Sequence, residues 1–321
     1  MATAGRERKI CPGGSSMIAE ALTDRPKGSP AGRGRDRWSL WTGLVLAFVL
    51  ATGSPARALE DQPQTRSAYQ FGVFPYLPTL TIDRIFGPMA GHFAIELGRP
   101  VHLRTKPTFE QFAQELERQT YEIVFVHPFF YVEAADRYDY LPVARLNEPM
   151  TAVIMVDARR PWRGLPDLAG KILALPPALA AVSELTRAAL IEVGLQPGFD
   201  LVLRHHRTKM SCLQAVAIGS ADACAVPTFV LSQIDPIAKL KLRPLAETRS
   251  VRHFVLAAHA RVPKAERVKL QRSVLSWPST AQGRQVLAAG AWSGFVAADD
   301  REYDEVRALA RLAQGMSSRC P

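Results

Sequence analysis

Cysteine is scarce, and its spacing does not suit a metal site. Four cysteines occur in 321 residues, and the three beyond residue 58, Cys212, Cys224 and Cys320, form no C-x-x-C pair. An odd number without paired spacing argues against a disulfide scaffold. Cys212 and Cys224 fall in apolar helix and strand patterns, so buried free thiols are the expectation and a Cys212–Cys224 bridge the alternative. Catalytic signatures are missing too: there is no G-x-S-x-G, H-E-x-x-H, Walker A or G-x-G-x-x-G motif. His205-His206 is an adjacent pair, which on a strand points its rings to opposite faces. No enzyme, bound metal or cofactor is therefore expected. Low-complexity tracts, internal repeats and long linkers are absent after residue 69, so any two lobes must be joined by strands and not by a flexible tether.

The ends of the chain carry a different message. Arg33, Arg35 and Arg37 precede an uncharged run, 38–52, and Ala56-Arg57-Ala58 follows it. The run is shorter than the roughly 20 residues that span a bilayer. This pattern predicts a signal peptide over 1–58, cleaved after Ala58, and hence a periplasmic protein. No cysteine follows the site to take a lipid, and Gly34 and Asp36 interrupt the arginines, so a twin-arginine route is not supported. The basic stretch ahead of the run is long for an exported protein, which leaves Met1 and Met17 both open as the start.

Removing that segment changes the charge argument. It holds nine of the 40 Lys/Arg and four of the 30 Asp/Glu, leaving 31 basic and 26 acidic side chains over residues 59–321. A net charge of about +5, scattered along the chain, excludes a nucleic-acid stripe and suits an anionic small ligand.

From Tyr69 onward, short β-like runs alternate with helical periods, the pattern of α/β lobes with mostly parallel sheets flanked by helices. Strands are predicted at 69–74, 101–105, 122–126, 152–156, 171–175, 201–205, 222–226 and 253–258. Helices are predicted at 107–119, 180–193, 209–218, 264–276 and 302–313. Thr108 is placed to cap the first of these, with Phe109, Phe112 and Leu116 on one face. Gly194 and Gly219 stand where left-handed C-terminal caps belong.

Five phrases in order then resemble one family. They are Gly72-Val73-Phe74-Pro75-Tyr76, His127-Pro128-Phe129-Phe130-Tyr131-Val132 (the family's Gly-Pro-x-x-Tyr-Val), Asp167-Leu168-Ala169-Gly170-Lys171, 213–223 with its Ala215-Val216 and Asp222-Ala223, and Gly294-Phe295-Val296 with 300–307. Together they resemble the phosphate-, phosphite- and phosphonate-binding receptors of ABC transporters. The resemblance implies a two-lobed type II periplasmic-binding fold with a ligand cleft between the lobes. It places lobe 1 at 59–150 plus 246–321 and lobe 2 at 151–245, with hinge strands near 145–151 and 245–252. A small anionic ligand and a membrane permease are the implied partners; a sensor kinase in place of the permease is the competing reading, and a monomer is expected.

The resemblance also implies site residues. Tyr76 and Tyr131 take the family's aromatic hydroxyl positions, and Thr108 is either a ligand donor or only a cap. The family's Ser-Thr-Ser falls on Leu179-Ala180-Ala181, so Ala180 and Ala181 offer backbone amides alone, with Ser183 as a substitute donor. The family's cleft histidine falls on Lys209, a point charge with three donors, or otherwise a surface lysine. No acid occurs in 226–229 or 248–253 to meet a substrate amine. Lys209, Arg252 and His253 together favour a simple oxyanion, a carboxylated organic anion or another small solute, although His253 also fits a purely structural strand role.

Overall fold

A computed structural model of the chain describes residues 67–228, 231 and 241–317. The expected signal peptide, Met17, Phe229 and Cys320 lie outside the described residues. From Thr65 onward the chain is one compact unit.

The chain begins with β1 (Tyr69–Val73), α1 (Thr79–Leu97), β2 (Val101–Arg104), α2 (Phe109–Glu117), β3 (Ile123–Val126), α3 (Pro128–Arg137) and β4 (Tyr140–Leu146). It crosses through β5 (Pro149–Met150) into β6 (Ala152–Asp157), β7 (Ile172–Leu175), α4 (Ala181–Glu192), β8 (Val202–His205), α5 (Lys209–Ala217), β9 (Ala223–Pro227) and β10 (Leu242–Glu247). It returns through β11 (Val251–Arg252) to β12 (Val255–His259), α6 (Lys264–Ser276), α7 (Ala281–Gly290), β13 (Phe295–Ala297) and α8 (Asp304–Ser317).

Two mixed sheets result, one per lobe. The first has the order β13-β4-β12-β3-β1-β2 and the second β10-β6-β9-β7-β8. In the first, β2, β1 and β3 are parallel, and β12, β4 and β13 pair antiparallel. In the second, β8, β7 and β9 are parallel, with β6 and β10 antiparallel. The strand that enters each sheet from a crossing, β6 or β12, runs against its neighbours, and in the first sheet β13 also runs against β4. The two crossings pair with each other as β5 and β11.

Local chemistry explains the elements. All four residues of β3 and all five of β12 are buried, as expected of strands covered on both faces. In α2, Phe109, Phe112 and Leu116 form the buried stripe, and the Thr108 Oγ1 cap accepts from the Gln111 amide at 3.2 Å. Gly194 (φ 82°) and Gly219 (φ 76°) adopt the left-handed conformation that ends α4 and α5. Gly72 has a different reason: a Cβ there would lie 2.7 Å from the Tyr121 ring, which stacks on Phe112 at 5.3 Å. The glycine of the first phrase lets β1 run against that ring.

One expectation is overturned. Cys212 and Cys224 are not free thiols but form a disulfide, with Cα atoms 5.7 Å apart and both residues fully buried. The helix α5 packs back onto β9, which follows it after a short turn, and this places the two side chains face to face. Counting cysteines along the sequence could not reveal that packing.

A continuous apolar cluster runs through both lobes, from Phe71 and Phe125 in the first to Ile154, Leu173 and Leu185 in the second. A smaller cluster, with Val153, Met155, Leu213, Val226 and the bridged cysteines, fills the space between α5 and the second sheet.

Candidate functional site

Because β1, β2 and β3 are parallel, their C-terminal ends share one edge of the first sheet. That edge leads into the Tyr76 loop and the N-termini of α2 and α3. The parallel pair β7 and β8 does the same in the second lobe, leading into α4 and α5. Ligands of open α/β sheets bind outside such edges, and helix N-termini supply the unpaired amides that anions seek. Here the two edges meet. The Leu179 backbone, just ahead of α4, acts on the His127 ring that caps α3, and α4 packs on both α3 and α8.

The first-lobe wall is aromatic. Phe74 stacks on Tyr76 at 4.7 Å and meets His127, Phe254 and Phe109 edge-on at 5.2, 5.0 and 6.1 Å. Phe254 reaches this position because its neighbour Val255 pairs with Val126, immediately before His127. Burial pushes the Tyr76 phenol above its ordinary pKa, so it stays a neutral hydroxyl.

His127 is the group that reading the sequence passed over. Its Nδ1 accepts from the Phe130 amide at 3.2 Å, and its ring stacks on Phe130 at 4.2 Å. Burial lowers its pKa to about 3. A backbone contact with Leu179 opposes that shift, and among the described residues Nε2 is buried without a hydrogen bond of normal geometry. The available signal was a departure: a histidine stands where the resembling phrase has glycine.

The expected site residues divide into those at the facing edges and those elsewhere. Ala180 is the α4 cap residue and makes no side-chain bond, and Ala181 opens the helix, so this end offers backbone amides. Ser183 is fully buried, and its hydroxyl donates to the Pro176 and Pro177 carbonyls (3.2 and 3.0 Å), holding the turn ahead of α4. Lys209 is the first residue of α5, behind the Thr208 cap, and burial lowers its ammonium to about 8. His253 is buried beside the aromatic wall; its Nδ1 accepts from the Phe254 amide at 2.7 Å, and burial lowers its pKa to about 4 against the pull of Glu148.

Two expected donors are engaged in other work. Tyr131 is fully buried in the first lobe, its ring 4.5 Å from Tyr303 and its hydroxyl donating to Asp300 at 2.7 Å. Asp300 in turn accepts from Arg307 at 2.8 Å. Thr108 is exposed, and its oxygen is the α2 cap described above. Arg252, read as a counter-charge, is held by Glu302 at 3.4 Å. The helix α3 explains the Tyr131 result: its cap residue His127 meets the Leu179 backbone of the other lobe, and the residue one turn on packs against the turn 300–303 that leads into α8.

A groove of about 590 Å³ opens between α3, α4 and α8, with His127, Leu179, Arg187 and Arg307 in its wall. Both arginines are already paired, Arg187 with Glu184 and Arg307 with Asp136, Asp300 and Asp304. A second groove, of about 490 Å³, lies at the N-terminal end of β9, away from the facing helix N-termini.

Comparison with known proteins agrees with this architecture. A binding-protein component of an ABC phosphonate transporter from Pseudomonas aeruginosa is 16% identical, with a TM-score of 0.66 over 78% of this chain and 87% of that one. PhnD1 from Prochlorococcus marinus, solved with methylphosphonate, is 14% identical, with a TM-score of 0.67 over 76% of this chain and 97% of that one. A Xanthomonas citri protein bound to ATP is 16% identical, with a TM-score of 0.67 over 79% and 100%. At such identities these likenesses speak for the fold. No curated protein sequence matches. The family model of the phosphonate periplasmic substrate-binding protein of ABC transporters matches residues 71–303, and the chain, a two-lobed binding protein and not an enzyme, belongs to that family.

Proposed function

We propose that the chain is the periplasmic receptor of an ABC importer for a small oxyanion of the phosphonate, phosphite or phosphate class. It acts as a monomer, and its lobes close on the solute for delivery to the permease. The observation that carries this reading is the lobe-2 edge. Two helices, α4 and α5, begin there side by side, and Lys209 stands in the first turn of α5 with its pKa lowered by burial to about 8. A positive charge in the first turn of a helix adds to the helix amides in favouring an anion there. At neutral pH Lys209 still carries its charge. The absence of acids in 226–229 and 248–253 supports an oxyanion without an amine.

The test is a thermal-shift and titration series against phosphate, phosphite, methylphosphonate, aminoethylphosphonate, sulfate and small carboxylates. A solute that binds only the folded state raises its stability by about 2.7 kcal/mol at a hundredfold excess over Kd. A shift with a phosphorus oxyanion supports the reading, and a shift only with carboxylates or none at all defeats it. Lys209→Ala is expected to weaken oxyanion binding and flatten its salt dependence; an unaltered binding curve would remove Lys209 from the site.

A further inference from the structure

The orphaned histidine at the seam between the lobes carries a sharper statement about the solute, one that rests on the oxyanion reading above. His127 Nδ1 is occupied as the acceptor of the α3 cap, so in the neutral ring the proton sits on Nε2. Among the described residues Nε2–H is then a buried donor without a hydrogen bond of normal geometry, in a residue only 1% exposed. Its neighbour among the described residues is the Leu179 backbone of the other lobe, in a contact outside normal hydrogen-bond geometry. A poorly met buried donor costs stability, and a solute oxygen in place of that contact would recover the cost. Opening the lobes would expose the donor to whatever solute enters, and a groove with His127 and Leu179 in its wall is large enough for a small organic molecule. Around the ring lie Phe74, Phe109, Phe129 and Phe130, with centroids 4.2–6.4 Å away; Phe129 and Phe130 also line the groove, whose wall carries Glu133, Glu184, Arg187 and Arg307 as well.

We propose that His127 Nε2–H is a solute contact in this chain, donating to an oxygen of an organic oxyanion whose apolar or aromatic substituent rests on the surrounding rings. The helix amides and Lys209 hold the charge from lobe 2; His127 and the rings of lobe 1 hold the organic side. Inorganic phosphate would satisfy the first set and leave the second without a partner.

Calorimetric titration with phenylphosphonate, methylphosphonate and inorganic phosphate tests this on the wild-type protein and two variants. His127→Asn keeps an acceptor where Nδ1 caps α3 and removes the donor at Nε2. His127→Gln keeps a donor near the Nε2 position and gives up the cap. The wild type is expected to bind phenylphosphonate about tenfold or more tighter than phosphate. Phenylphosphonate binding is expected to fall about tenfold in His127→Asn and to stay within about threefold in His127→Gln, whereas the melting temperature falls more in His127→Gln. If phosphate and methylphosphonate bind as tightly as phenylphosphonate, the inference fails and the oxyanion reading stands. If binding follows the cap, so that His127→Asn binds like the wild type, His127 is structural and the inference fails. If none of the three probes binds, both fall.

Discussion

At the scale of single residues, the groups with the largest displacements in pKa are neutral ones held away from water. His127 and His253 are lowered by burial to about 3 and about 4. Their unfolded values lie near 6.5, so below that pH the unfolded chain takes up protons that the native state refuses. Stability is fully present above about pH 6.5 and falls as pH drops toward 4 and 3, by roughly 1.4 kcal/mol per pH unit for each histidine at full slope. Urea titrations between pH 7 and 4 measure this, and His253→Asn is expected to flatten the slope; an unchanged slope would mean His253 is already protonated in the native state. Tyr131 gives the opposite kind of prediction. Its hydroxyl serves Asp300, so Tyr131→Phe is expected to cost about 1.5 kcal/mol in chemical denaturation and to leave the response to an oxyanion intact. Loss of ligand binding with unchanged stability would return Tyr131 to the site.

At the scale of elements, the disulfide ties α5, the helix that begins with Lys209, to the strand β9. The bridge spans a sequence separation of 12, for which loop-closure entropy corresponds to about 3 kcal/mol. The double variant Cys212→Ala, Cys224→Ala is expected to lose about that much in denaturant unfolding, and its loss is expected to match that of the reduced wild type. A double variant as stable as the oxidised protein would mean that the bridge does not form. Elements of this kind show where sequence reading succeeds. The runs 122–126 and 253–258 read as strands because β3 is apolar throughout and β12 is apolar up to His259, and α2 reads as a helix because its cap and stripe are local. In contrast, α1 and α7 escaped the reading: α1 contains Pro88, and neither helix has an acid in its first turn or a base in its last. The segment from Pro128 carries no helix in the sequence analysis, although a proline at the first position of a helix with histidine ahead of it is a valid start for α3. The site was less legible than the fold because a side chain's direction is decided by tertiary packing. Tyr131 and His127 stand four residues apart, and only the position of α8 shows which of them faces the other lobe.

At the scale of the whole molecule, the main apolar cluster passes through both lobes, and α4 packs across onto α8. This continuity predicts one cooperative unfolding transition by calorimetry, with van't Hoff and calorimetric enthalpies in agreement. A bound solute is expected to raise that single transition; two resolved peaks, only one moving with ligand, would show that the lobes unfold separately.

The place of β12 in the first sheet has a further consequence, for the order in which the chain can fold as it emerges from its N-terminus. β12 lies between β3 and β4, which have no ladder with each other. Until residues 255–259 emerge, the first sheet can form only as β2-β1-β3, and β4 has no partner in it, because β13 comes later still, at 295–297. The second sheet uses strands from 152 to 247 alone, so it can be completed earlier. The lobe that comes first in the sequence is therefore the last to close.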